Sequence, residues 1–290
     1  MFVVPLLVMA QENTVRHLFT ISELQGESLL LPTDVASAND SIYIVDSGHN
    51  RIVKFDVDGK FIKVIGKEGS GEGEFKDPVG IFVDNKGYLY VADTANHRIQ
   101  IFDSSDKFSS MFSLKYGDYQ IRPIDVAVDP VKGHIYVTGN NNHKLMVFDQ
   151  QGKLLRQWGK NGSSYGEFRY PATIDLMNDN RIAVVDVLNT RVQLFNRDGD
   201  FLTEVGQWGV LPGQLFRPKG VAIDEQNRIY ISDSYMNVIQ VFQDNGQLIN
   251  VLEPPDGYQF QTPVGMTVDG RNRLYVTEML KQQVSVFQLE

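Results

Sequence analysis

Three aspartates, Asp46, Asp93 and Asp186, each stand five residues ahead of an arginine, Arg51, Arg98 and Arg191, with a short polar loop between. A carboxylate and a forked guanidinium at that spacing suit an ion pair across the base of the loop, which satisfies loop backbone and fixes its shape. The loops at or near these positions also carry imidazoles, His49, His97 and His143, which raise the question of a three-histidine zinc site. Two further carboxylates, Asp34 and Asp125, lie two residues after a proline, where comparable segments carry Gly80, Gly220 and Gly265. Such a pair can hold a hard cation or divide acid and base duties, but calcium takes six or more oxygens and no Glu or Asn set accompanies these two. The reading favours solvated channel carboxylates there. Asn50, Asn96, Asn142, Asn189, Tyr235 and Asn237 add hydrogen-bonding and aromatic groups to the same class of loop.

What positions these residues is a repeat. Pro32, Pro78, Pro123, Pro171, Pro218 and Pro263 follow one another at spacings of 45 to 48 residues. Each opens an apolar strand, closing on Asp in most copies, as in GIFVD (80–84) and GVAID (220–224). A polar turn and a second strand follow (IYIVD, LYVAD, IYVTG, IAVVD, IYISD, LYVTE), then a polar loop and a third strand ending on Phe55, Phe102, Phe148, Phe195, Phe242 or Phe287. Asp58-Gly59, Asp198-Gly199 and Asn245-Gly246 accept positive φ and mark tight hairpins into a fourth strand. The strands are near-continuous apolar runs, the pattern of sheets covered on both faces. No segment carries a sustained helical period, so six copies of four strands predict an all-β fold, a six-bladed β-propeller of four-stranded antiparallel blades. The sixth copy ends after its third strand, whereas VRHLFTI (15–21) resembles the fourth strands FIKVIG (61–66) and FLTEVG (201–206). The N-terminal strand is therefore expected to pair into the last blade, removing an open sheet edge.

The pattern P-x-G-[IV]-x-V-D, then YVAD, then N-x-R-[IV]-Q-x-F resembles the NHL repeat, most closely at 77–103 (DPVGIFVDNKGYLYVADTANHRIQIFD), and the resemblance extends over 15–290. It implies a closed propeller. Proteins with this repeat include RNA-binding domains, extracytoplasmic sensor domains and metal-dependent amidating enzymes, so the resemblance says little about the partner. Copies three and six depart from the pattern, with Thr138 and Thr277 read in place of the strand-ending Asp.

In a meander of this kind the loops after the second and fourth strands share one rim, here called the upper face. It carries SGHN (47–50), TANH (94–97), NNNH (140–143), VLNT (187–190) and SYMN (234–237), with longer connections at 67–77, 160–170 and 207–217. The fifth copy replaces the loop arginine by Val238 and leaves Tyr235 and Asn237 as a distinctive patch. Phe75, Phe168 and Phe216 recur before each new blade and are expected to pack beneath the connections. Equivalent points on adjacent blades lie on the order of 10 Å apart, whereas zinc takes nitrogens at about 2 Å, so the histidines are assigned no metal.

The chain has no cysteine, which removes disulfides and thiolate chemistry, and its formal charge of −9 opposes nucleic-acid binding. No apolar run is long enough to span a bilayer. The run FVVPLLVM (2–9), with Val8 and Ala10 preceding a cut before Gln11, reads as the remnant of a signal segment over 1–10, followed by one propeller over 11–290. The expected location is extracytoplasmic, periplasmic or secreted, with a cytoplasmic protein as the alternative. The function expected is non-catalytic: a binding or scaffold module that recognises a protein, peptide or glycan on the upper-face loops, with no cofactor. The alternative is a metal-assisted hydrolase or lyase, lactonase-like or amidating-lyase-like, at the channel mouth.

Overall fold

The computed structural model describes residues 15–254 and 257–289. Each proline opens the innermost strand of an antiparallel sheet, a place where a missing N–H is tolerated because that side faces the channel. In the second copy Pro78–Val83, Leu89–Asp93, Arg98–Phe102 and Phe108–Ser113 lie side by side in chain order. Six such sheets stand around an axis, each inner strand packs on the next, and Pro263–Val268 packs back on Pro32–Ala38 to close the ring. Residues 1–10, read as a signal remnant, lie outside the described residues.

The apolar runs exist because both faces of every sheet are covered. Along Ile182–Asp186, Ile182 and Val184 pack with the third blade while Ala183 and Val185 pack with the fifth, all fully buried. Burial of this kind contributes about 1.5 to 3 kcal/mol for each large aliphatic side chain.

The last sheet contains both ends of the described chain. Val15–Ile21 runs antiparallel to Gln283–Leu289, with Val15 opposite Leu289 and Ile21 opposite Val284. Val15 and Ile21 are buried, so this strand covers core as well as supplying backbone partners.

The turns have distinct chemistry. In the outer hairpins of blades one, four and five only the glycine is left-handed, at φ 81° for Gly59, 93° for Gly199 and 88° for Gly246, and its N–H returns to the carbonyl three residues back, Asp56, Asn196 and Gln243. These are three-residue bulged hairpins in place of two-residue turns. At the opposite end of strand one, Asp84 accepts the N–H groups of Lys86 at 2.9 Å and Tyr88 at 2.8 Å, holding the lower turn.

Register corrects the reading of copies three and six. Pro32 pairs with Asp46 and Pro78 with Asp93, while Pro123 pairs with Gly139 and Pro263 with Glu278. Gly139 and Glu278, not Thr138 and Thr277, therefore stand at the strand-ending position. A second correction concerns the connections: Phe75, Phe168 and Leu215 are the fully buried anchors, whereas Phe216 turns outward and its ring meets Tyr235 at 4.4 Å.

Candidate functional site

On the upper face Asp93 is fully buried and accepts four kinds of donor: the Lys76 N–H at 2.8 Å, Asn96 Nδ2 at 2.9 Å, Arg98 Nε at 2.7 Å and Gln100 Nε2 at 3.0 Å. Arg98 also donates to the carbonyls of Ser70, Gly71 and Glu74 in the connection that precedes the blade. Blade four repeats the arrangement: Asp186 accepts from Arg169 N–H, Asn189, Arg191 and Gln193, and Arg191 reaches the carbonyls of Ser164 and Glu167. The ion pair thus clamps a long connection onto a short loop. In blade one Asp46 accepts from Leu30 N–H, His49 Nδ1 and Arg51 Nε, and Arg51 bridges on to Glu27 at 2.8 Å. In blade three Gly139, Lys144 and Met146 replace the acid, the arginine and the glutamine. There Asn142 Nδ2 lies 3.5 Å from Met146 Sδ, and its buried Oδ1 has no hydrogen-bond partner among the described residues.

Several residues considered for ligand contact hold the frame. Asn96 and Asn189 direct their amides at Asp93 and Asp186 and at the carbonyls of Gly69 and Gly162. Asn50 Oδ1 accepts the N–H of Asp77 at 2.8 Å, His143 Nδ1 that of Tyr170 at 3.3 Å, and Asn237 Oδ1 that of Thr262 at 2.7 Å. Each acceptor hooks the residue just before the next blade's opening proline. His97 Nδ1 lies 3.2 Å from the Ile121 carbonyl. Among the described residues no group of three His, Cys, Asp or Glu side chains is placed to hold a metal ion, and His49, His97 and His143 remain in separate blades. Tyr235 stands open, 61% exposed.

The channel corrects another expectation. Asp34 and Asp125 are buried at 6% and 4% exposure instead of solvated. Asp34 accepts Val35 N–H at 2.9 Å and, across the blade joint, Ile81 N–H at 3.0 Å; Asp125 accepts Val126 N–H at 2.8 Å and Ile174 N–H at 2.9 Å. Asp175 does the same with Leu176 at 2.7 Å and Ile223 at 2.8 Å. The three line a central cavity of about 210 Å³. Burial raises the Asp34 carboxyl above the usual range with help from the Asp175 charge, and raises Asp125 through burial and the Asp34 charge. Burial pushes Asp175 up to about 7. The neighbouring glycines are explained by space: a Cβ on Gly265 would lie 2.0 Å from Asp34 Oδ1, and one on Gly80 2.4 Å from Asp125 Oδ1.

Toward the upper face the channel opens into a depression of about 500 Å³. Val79, Ile124, Val264 and Met279 contribute to its mostly apolar wall, and its charged residues are two cations, Arg217 and Lys219. Lys219 is partly buried, and among the described residues neither cationic side chain has an ion-pair or hydrogen-bond partner. Burial lowers the Lys219 pKa and the nearby Arg217 lowers it further. The sequence carries a signal for this site that periodicity alone passes over. After the six prolines come Thr33, Val79, Ile124, Ala172, Lys219 and Val264, one charge among neutral residues.

Six four-stranded sheets packed inner strand on inner strand, with Val15–Ile21 completing the last sheet, define a closed β-propeller of NHL repeats. The chain belongs to the 6-bladed beta-propeller family, which it matches over residues 26–126, 118–186 and 172–290. Protein lin-41 of Caenorhabditis elegans is 53% identical over 49 residues, 17% of this chain and 4% of that protein. NHL repeat-containing protein 3 of Homo sapiens is 38% identical over 65 residues, 21% of this chain and 19% of that protein. The matched stretches thus span less than a fifth of these relatives. Among solved structures, a gluconolactonase from Xanthomonas campestris superposes with a TM-score of 0.71 at 17% identity, covering 90% of this chain and 86% of that one. A catalytically inactive virginiamycin B lyase from Staphylococcus aureus with quinupristin gives 0.67 at 16% identity, covering 96% and 99%. At such identities the likeness is one of fold.

Proposed function

We propose that this propeller is a non-catalytic binding module that recognises a protein partner through the upper-face loops of blades four to six. The observation that carries the reading is the outward display of Leu188, Trp208, Val210, Leu211, Tyr235 and Leu280 on that sector, with Trp208 71% exposed. Large apolar and aromatic side chains gathered on one face are the composition of an interface core, and the clamped loops beneath reduce the ordering entropy of association. Kinship with NHL-repeat proteins supports a binding role. A metal-assisted hydrolase or lyase has the fold in its favour but no ligand set among the described residues. The same reading places the protein outside the cytoplasm, supported by the apolar run 2–9; a mature N-terminus at Gln11 in protein from its native source is the expected result.

The test is affinity capture from the native source with wild type and with a Trp208→Ser, Leu211→Ser, Tyr235→Ser variant. Loss of a saturable partner with an unchanged melting midpoint is expected; a variant that keeps every partner sinks the reading.

A further inference from the structure

The depression at the channel mouth has features that a protein-docking rim does not require. Its volume of about 500 Å³ lies within the range of small-ligand sites, and such sites combine apolar walls with a few convergent polar groups. Acidic residues outnumber basic ones by 36 to 27 in this chain, yet the wall contains two cations and no carboxylate. A partly buried ammonium without a counter-ion carries a desolvation cost, and an anion arriving from solution relieves it.

We propose that this depression binds a ligand joining one carboxylate to an apolar body, with the carboxylate held between Lys219 and Arg217 and the body against Val79, Ile124 and Val264. The inference goes beyond the protein-binding reading, because it uses the mouth and not the exposed rim residues.

The ligand's charge follows from the donors available. Thr173 Oγ1 already donates to the Lys219 carbonyl at 2.9 Å and Thr33 Oγ1 to the Val79 carbonyl at 2.8 Å, so the two cations are the charged donors of the wall, beside the neutral Asn140 amide and Tyr170 hydroxyl. The two cations match a monoanion; a dianionic phosphate brings more acceptors and a larger desolvation cost to a mostly apolar wall. Deeper in the channel the backbone N–H groups of Ile81, Ile174 and Ile223 are already taken by the buried carboxyls of Asp34, Asp125 and Asp175, so a second anionic group finds no such donor there and the carboxylate stays at the mouth. Two sources share this chemistry, a free aliphatic acid and the carboxyl end of an apolar peptide.

Titration calorimetry with sodium octanoate, octylammonium chloride, and the tripeptide Val-Leu-Leu as free acid and as amide separates the cases. At least one carboxylate is expected to bind once per disc, with octylammonium and the amide weaker by about tenfold or more. Octanoate binding alone points to a free acid, and tripeptide binding alone to a peptide terminus. Lys219→Met is expected to weaken the bound carboxylate at least about tenfold at an unchanged melting midpoint. Arg217→Gln, at an exposed position, gives the same direction if the first variant folds poorly. Equal binding of octanoate and octylammonium, undiminished binding by both variants, or no carboxylate binding in the millimolar range overturns the proposal. Neither carboxylate titration depends on Trp208, Leu211 or Tyr235, so failure here and failure of partner capture are separate results.

Discussion

The carboxylate of Asp34 in the first blade accepts the backbone N–H of Ile81 in the second at 3.0 Å, so a titratable group spans the joint between two sheets. Asp125 and Asp175 span the next-but-one and following joints in the same way, at 2.9 Å to Ile174 and 2.8 Å to Ile223. Protonation and the strength of the ring are thereby linked.

Stability is expected to fall as pH rises from about 4 to about 7. A carboxyl whose folded pKa is raised, as for Asp175 at about 7, keeps its proton in the folded chain over that window while the unfolded chain has released it. Its contribution is fully present below the unfolded pKa and is lost on passing the folded one, with a slope on the order of 1.4 kcal/mol per pH unit at most. Thermal melts at pH 5 and pH 8 check this: Asp175→Asn gains stability relative to wild type at the higher pH. A difference between the two proteins that does not change with pH contradicts the linkage.

Asp93→Ala is expected to destabilise the protein by about 3 kcal/mol, because it leaves Arg98 at 6% exposure without its carboxylate and removes one of the two acceptors of the Asn96 and Gln100 amides. Urea denaturation measures the loss. A cost within a few tenths of a kcal/mol removes the clamp from the account of the upper face.

Gly265→Ala tests the packing of the inner strands. The new methyl would lie 2.0 Å from Asp34 Oδ1 and 2.6 Å from Asp34 Cα, and backbone on that side cannot step aside as a side-chain tip can. A loss of about 2 kcal/mol or more is expected by the same denaturation assay. Gly270→Ala serves as the control, because it too lacks a positive φ and its Cβ would meet only Glu225 Oε1 at an ordinary 3.7 Å.

Deleting residues 15–21 is expected to lower the melting midpoint by about 10 °C or more and to promote aggregation, since Gln283–Leu289 becomes an unpaired edge over exposed core. Calorimetry and light scattering read both effects. An unchanged midpoint is incompatible with this strand closing the ring.

The fold was legible because its determinants are local and repeated: six prolines, six apolar second strands, six phenylalanines ending the third strands, and a fourth-strand pattern displaced to 15–21. The loop clamps were legible for the same reason, since Asp and Arg five apart face each other across a paired register. What escaped depends on contacts between blades. Burial of Asp34 and Asp125 arises from backbone N–H groups almost 50 residues away, which no local pattern encodes. The framework duty of Asn50 depends on Asp77 in the next blade. Lys219 stands out only when the six repeats are set in register, and the buried anchor of the fifth copy is marked by its distance from the proline and not by residue type: Leu215 stands three residues before Pro218, as Phe75 and Phe168 do before Pro78 and Pro171.

Val15 lies opposite Leu289 at one end of an antiparallel ladder that finishes at Ile21 and Val284. A tensile load applied through residues 15 and 289 therefore peels that ladder rung by rung from its terminal pair, so the rungs never share the force as they would in shear. The ring yields at a small pulling force along that axis, while compression on either face leaves the same rungs unloaded.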